Sequence, residues 1–332
     1  MSEYNVINYL LLQAYEQDYS NIILTTDTQF YKKDGAWQQL IIEDNVALSL
    51  QDELAELLSA QKNKNNGNGM RKVYDFAYSI PHGERYRGNI SQDMAKIVAV
   101  FRPIRTNIPS LADLYMPSSL ARLVTKPHGI IIVSGPTDSG KSTTLAAMIN
   151  HINLHLAKHI ITIEDPIEYV YPPGKSIISQ YEIGDMLLSF QEGLLAALRQ
   201  APDIILVGEL RDRQSIETAL RAAETGHLVL STLHASSIPE AVDRLKQYFP
   251  GDMQKQIQNQ FANCFQGIIV QQLLPGKNGG RVAAQEIMLR TPATIGMIKS
   301  ERYQLDITLR ASDGMQTMND AIEELRLSGH IN

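Results

Sequence analysis

The sequence predicts an α/β protein built on a parallel sheet buried on both faces, preceded by a smaller α+β domain. Three observations predict this. Beyond residue 128, near-continuous Ile/Val/Leu runs alternate with segments of helical period, the pattern of successive βαβ units. Before residue 106, the apolar spacing gives two helices among short clustered strands. The chain has 332 residues, more than the roughly 250–300 at which a single core stops growing. The expected division is an N-terminal α+β domain over 1–106, a proline-containing linker over 107–116, and the α/β domain over 117–332.

Taken in order, residues 6–18 space Val6, Leu10 and Ala14 at helical period. Strands are expected at 22–26 and 29–31, followed by a hairpin turn at Lys33, Asp34 and Gly35, where glycine tolerates positive φ. Leu50, Leu54, Leu57 and Leu58 mark a second helix over 46–60. Residues 62–69 are polar and glycine-containing and read as a loop. Strands follow at 72–80, 84–90 and 95–104. In the second domain, buried strands are expected at Gly129–Ser134, 160–164, Ile204–Val207 and 228–232. Helices are expected at 141–154, 190–200, 214–224 and 239–248.

Composition narrows the function. The formal charge of −6 supplies no overall attraction to nucleic acid, and no groove of interleaved aromatic and basic residues is evident. One cysteine, Cys264, allows no intramolecular disulfide and no cysteine-built zinc site. No apolar run approaches the roughly 18 residues that a membrane-spanning helix needs, and residues 1–12 lack a signal-peptide pattern. The expectation is a soluble cytoplasmic protein.

The chemistry is expected at the strand ends. Gly135, Pro136, Thr137, Asp138, Ser139, Gly140, Lys141 and Ser142 match G-x-x-x-x-G-K-[ST], after a buried strand and at the start of a helix. Such a loop turns backbone N–H groups toward phosphate at the positive end of a helix dipole. Lys141 can reach the β- and γ-phosphates, and the Ser142 hydroxyl can ligate Mg²⁺. Two later strands end in acids: Glu164, followed by Asp165 and Glu168, and Glu209 after Gly208. In a parallel sheet such carboxylates converge on the ligand crevice. One can polarise water and the other hold Mg²⁺ through water; the residues alone leave open which does which. His227 and His234 flank one strand, where a histidine can meet the γ-phosphate. His151, His155 and His159 have metal-ligand spacing, yet read as a solvated helix face running into the next strand.

The strings G-P-T-D-S-G-K-S-T-T-L-A-A-M-I, I-T-I-E-D-P-I-E-Y, P-D-I-I-L-V-G-E-L-R-D and A-A-E-T-G-H-L-V-L-S-T-L-H resemble, in order and spacing, the Walker A, Asp, Walker B and His boxes of secretion and type IV pilus ATPases. Residues 280–288 and 314–318 extend the likeness, which is greatest to the retraction motors of that family. The resemblance implies a PAS-like N-terminal domain and a RecA-like P-loop ATPase core. It implies ATP and Mg as ligands, with Thr143 completing the nucleotide-binding loop. The assembly implied is a cytoplasmic homohexamer at the inner membrane, working on a membrane platform protein and powering pilus retraction. It assigns Glu164 as the catalytic carboxylate, Glu209 as the acid on Mg²⁺ and His234 as a γ-phosphate contact. Residues 85–105 hold Arg85, Arg87, Lys96, Arg102 and Arg105 against one acid, Asp93. The family brings two arginines from adjacent N-domain strands to the nucleotide, and R-Y-R-G-N with V-F-R-P-I points to Arg87 and Arg102.

Three features depart from that pattern. Asp138 replaces a usual glycine and adds a carboxylate near the phosphates. Retraction motors carry A-I-R-N-L-I-R-E where residues 293–300 read A-T-I-G-M-I-K-S, without either arginine or the final acid. The insertion at 62–69 marks a divergent subgroup. The alternatives are a type IVB secretion or pilus-assembly ATPase and, outside motors, a nucleotide-gated scaffold.

Overall fold

A computed structural model describes residues 5–33, 35–64, 73–93, 96–104, 107–184, 187–303 and 314–332. The chain divides into two compact units, Met1–Arg105 and Thr106–Asn332.

In the first unit, α1 (Val6–Glu16), β1 (Asn21–Thr25), β2 (Gln29–Lys33), β3 (Ala36–Leu40), α2 (Asp44–Lys64), β4 (Val73–Ser79), β5 (Arg85–Gln92) and β6 (Ile97–Ile104) follow in sequence. The strands form an antiparallel sheet in the order β3-β2-β1-β6-β5-β4. Leu10, Leu11 and Ala14 of α1 and Leu50, Leu54 and Leu58 of α2 bury against Ile22, Leu24, Ile90 and Phe101. Glu53 of α2 accepts the Val6 and Ile7 N–H groups at 2.7 and 2.8 Å, placing a carboxylate at the positive end of α1.

Two expectations need correction here. Strand β3 was not foreseen, because Ala36-Trp37-Gln38-Gln39 is exposed and has no apolar alternation; its pairing with β2 makes it a strand. Helix α2 continues through Lys64, into the stretch read as loop, with Gln61 buried at its inner face. The remainder of that stretch, Asp34 of the hairpin turn and Arg105 lie outside the described residues.

The second unit opens with α3 (Ser118–Leu123), β7 (Gly129–Ser134), α4 (Lys141–His155), β8 (His159–Glu164), β9 (Ile177–Glu182), α5 (Phe190–Ala197), β10 (Ile204–Val207) and α6 (Arg213–Glu224). It continues with β11 (Leu228–Leu233), α7 (Ile238–Gln247), α8 (Gly251–Cys264), β12 (Phe265–Pro275), β13 (Arg281–Leu289), α9 (Pro292–Ser300) and α10 (Met318–Leu327). The sheet order is β13-β12-β7-β11-β10-β8-β9, parallel throughout except for the β12–β13 hairpin. The four strands foreseen from their apolar runs form its centre.

Alternate residues of these strands face opposite layers. Ile130, Ile132, Ile161, Ile163, Ile205 and Val207 pack toward α5–α8. Ile131, Val133, Ile160, Ile204 and Leu206 pack toward α3 and α4, joined by Leu111 and Met116 from the segment read as a linker. The flanking strands β9, β12 and β13 were not foreseen, because glutamines, serine and glycine interrupt their apolar patterns.

Candidate active site

The parallel order brings the C-terminal ends of β7, β11, β10 and β8 side by side. At the end of β7, the buried Ser134 hydroxyl faces the Ala235 carbonyl at 2.9 Å and accepts the Ala235 N–H at 3.0 Å. This bond ties the start of the phosphate-type loop to the segment carrying His234. Gly135 has φ 150°, and a Cβ there would lie 2.4 Å from the Gln271 carbonyl oxygen, so no side chain fits. Gly140 caps α4 at φ 86° without a side-chain bond. The first-turn amides of α4 therefore have no protein cap competing with an anion.

Gln271, buried in β12, straps the loop from beneath. Its Nε2 donates to the Ser139 carbonyl at 2.6 Å, and its Oε1 accepts the Thr144 hydroxyl at 2.8 Å. Asp138 sits in left-handed backbone at φ 60°, which accounts for the preference for glycine at this position. Lys141 turns back over the loop, donating to the carbonyls of Gly135 at 2.9 Å and Pro136 at 2.7 Å. Burial lowers its pKa below the ordinary lysine value, opposed by the charges of Glu209, Asp138 and Glu168. Thr143 shares a 2.9 Å hydrogen bond with the Tyr169 hydroxyl.

Glu164 ends β8. Its Oε1 accepts the Thr162 hydroxyl at 2.7 Å and Gln180 Nε2, from β9, at 3.4 Å. Burial pushes the Glu164 carboxyl up to about 7, outweighing those hydrogen bonds. Glu209 follows β10. Its Oε2 accepts Arg211 Nε at 2.8 Å and lies 3.4 Å from His234 Nε2, while the Arg211 guanidinium reaches Asp165 at 3.7 Å. Gly208 donates to the Ile163 carbonyl at 2.8 Å; a Cβ there would lie 3.3 Å from that oxygen and 3.5 Å from Glu164 Cα. The two acid-bearing strand ends thus run nearly in contact.

The structure therefore brings together the loop residues, Glu164, Glu209 and His234. His227 is the exception: it precedes β11, at the edge of the parallel sheet opposite these strand ends, with its ring Nδ1 3.1 Å from the Ala222 carbonyl. A γ-phosphate role for His227 is withdrawn. His151 and His155 stack at 4.3 Å on α4 while His159 opens β8, and among the described residues no group of three or more potential metal ligands forms. In the first unit, Arg87 and Arg102 are cross-strand partners in the β5–β6 register, both exposed. Like charges directly opposite are unfavourable in a sheet, and among the described residues neither arginine has an acidic ion-pair partner.

Sequence reasoning missed Tyr169, Gln180, Arg211 and Gln271 as site residues. Arg211 lay within a recognised string, but a lone glutamine in a strand carries no signal until its neighbour is known.

A glycine-bearing loop at a helix start, faced by two strand-end carboxylates and a histidine, defines a P-loop nucleoside triphosphatase. Residues 113–305 match the family described as "Type II/IV secretion system protein", and the chain belongs to that family. It is 42% identical over 271 residues to the "Twitching motility protein" of Neisseria gonorrhoeae, covering 79% of this chain and 72% of the relative. It is 41% identical over 260 residues to the "Type IV pilus retractation ATPase PilT" of Pseudomonas aeruginosa, covering 77% and 76%. Among solved structures, the pilus retraction motor PilT with bound ADP superposes with a TM-score of 0.85 at 36% identity, covering 98% of this chain and 94% of that one. The Legionella pneumophila ATPase DotB superposes with a TM-score of 0.80 at 25% identity, covering 100% and 95%. The likeness to PilT extends over both units and bears out the RecA-like ATPase core with its smaller antiparallel-sheet domain.

Proposed function

We propose that this chain hydrolyses Mg·ATP and powers the retraction of a type IV pilus. The observation that carries the enzymatic half is the pairing of Glu164, whose carboxyl is pushed up to about 7, with a phosphate-type loop on the same sheet edge. A base with a pKa near the working pH is suited to take a proton from attacking water. The relatives support the mechanical half.

The residues fit the ligands. Residues 135–143 cradle the triphosphate, where Gly135 has no room for a side chain and the α4 amides are uncapped. Ser142 and Glu209 offer the hard oxygen donors that magnesium takes. Bound magnesium would neutralise charge on the β- and γ-phosphates. Lys141 exchanges its loop carbonyls for phosphate oxygens, and His234 meets the γ-phosphate. Arg87 and Arg102, paired across β5 and β6, contribute to turnover, and an anion beside them would relieve their mutual repulsion. The working form is a homohexameric ring, cytoplasmic and peripheral to the inner membrane, acting on a membrane platform protein. Among the described residues no helix is long and apolar enough to cross a membrane.

Cells lacking this chain should still build pili but lose twitching, and Lys141→Ala should fail to restore it. Bald cells would instead assign pilus assembly, and intact pili with failed protein delivery would assign secretion. In vitro, phosphate release per subunit should rise with protein concentration as sedimentation records ring formation. Arg102→Ala should lower it sharply within intact rings, with the 10³–10⁵-fold effect of trans-supplied arginines as a rough upper guide. Full activity of Arg102→Ala in a monomer would overturn both the ring and the arginine role.

A further inference from the structure

The two side-chain donors to Glu164, Thr162 and Gln180, reach the same oxygen. Thr162 lies two residues before Glu164 on β8, so both side chains share a face of that strand. Its hydroxyl, on a fully buried residue, is directed to Glu164 Oε1 at 2.7 Å. Gln180 stands opposite Thr162 in the β8–β9 register. Its amide orientation is set by its neighbours: Nε2 donates to the Tyr169 carbonyl at 2.8 Å, and Oε1 accepts the Tyr171 N–H at 3.4 Å. The second Nε2 hydrogen is thereby left for Glu164 Oε1, at 3.4 Å. Among the described residues, the charged and titratable groups around Glu164 are Glu168 and Tyr171, on the segment after β8, and Glu182, its register partner on β9, whose Oε2 accepts the Ile167 N–H at 3.1 Å; the Glu168 backbone N–H also faces the carboxyl.

We propose that Thr162 and Gln180 are positioning residues that engage Glu164 Oε1 and so reserve Oε2 for the proton of the attacking water. This rests on the reading of Glu164 as the base. In the step, a water O–H bond breaks and its proton passes to Oε2. The water oxygen bonds to the γ-phosphorus, and the bond from that phosphorus to the bridging oxygen breaks, leaving ADP. The carboxyl proton then returns to phosphate or solvent. With Oε1 occupied, the carboxylate cannot rotate freely, and the donors also favour its charged form, offsetting part of the burial that opposes it. β9, the strand that the sequence pattern concealed, thereby takes part in orienting the base.

Single-turnover phosphate formation measured against pH tests this in the full-length protein. Thr162→Val keeps the β-branched shape but removes the donor. The acid limb of its rate profile should move upward by roughly one pH unit, with the rate about tenfold lower below the midpoint. The ATP concentration giving half-maximal rate should stay unchanged, and Thr162→Ser should restore the wild-type profile. Gln180→Met should shift the limb in the same direction by less, because its bond is longer, and this variant carries the test if Thr162→Val does not fold. Superimposable profiles, or a loss confined to ATP binding, would overturn the proposal. Glu164→Gln separates the two readings: if it remains active, the base assignment fails. If it is inactive while the profiles of the other variants do not move, only the positioning role fails.

Discussion

At the end of β8, Glu164 is held by neutral donors, a hydroxyl and an amide, in surroundings that desolvate its carboxyl. On the neighbouring strand β10, Glu209 is held by a guanidinium and an imidazole. The pair shows how two carboxylates on adjoining strand ends acquire different chemistry. Desolvation without a cation raises a proton affinity, whereas a guanidinium bonded to a carboxylate fixes where its oxygen sits. Sequence position alone could not have told these two acids apart.

The largest effect that could break this comparison is on turnover. Glu164→Gln should lower hydrolysis by at least ~10²-fold while nucleotide still binds, the usual scale for a lost acid–base group. Glu209→Gln should weaken magnesium-dependent binding together with turnover. If only Glu209→Gln leaves binding intact while abolishing hydrolysis, the roles are exchanged. Phosphate release and nucleotide titration on both variants decide it.

Stability should separate the two acids with opposite signs. Folding raises the Glu164 carboxyl from 4.5 to about 7, so the fold favours its protonated form. Its contribution to stability is fully present below pH 4.5 and is lost as the pH rises through 7. Glu164→Gln should therefore unfold at higher urea than the wild type at pH 8, by an amount on the order of 3 kcal/mol, with the gain vanishing near pH 4.5. Glu209→Gln loses the contacts to Arg211 and His234 and should be destabilised, by less than about 1 kcal/mol, since Arg211 is half exposed. A wild-type urea midpoint for Glu164→Gln at pH 8 would contradict the burial of that carboxyl.

The smallest effect concerns the loop that both acids face. Asp138→Asn keeps the shape and tolerates the left-handed backbone, so it isolates the charge. Removing one negative charge near the phosphates should tighten ATP binding roughly two- to tenfold, with a weaker effect at high salt. Unchanged affinity in a fluorescence titration would mean that the Asp138 carboxylate is screened from the nucleotide.

The central strands β7, β8, β10 and β11 were legible because burial on both faces demands unbroken apolar runs, and their alternation with helical segments points to a parallel sheet. The loop at 135–143 was legible for a related reason: backbone approach to phosphate requires glycine at set positions, and charge and metal ligation require Lys141 and Ser142. The edge strands were not legible. β3 is exposed and polar, and β9 and β12 carry glutamines whose meaning depends on a partner distant in sequence. Gln271 matters because it lies under Ser139, and Gln180 because the β8–β9 register sets it opposite Thr162. By itself the sequence determined which residues could do phosphate chemistry and on which edge of a parallel sheet they would meet. Only the tertiary structure decided which acid is desolvated, which lies against a guanidinium and an imidazole, and that His227 belongs to the far edge. Desolvation and hydrogen bonding depend on what surrounds a group in space, and those surroundings come from strands that share no local pattern with the residue they tune.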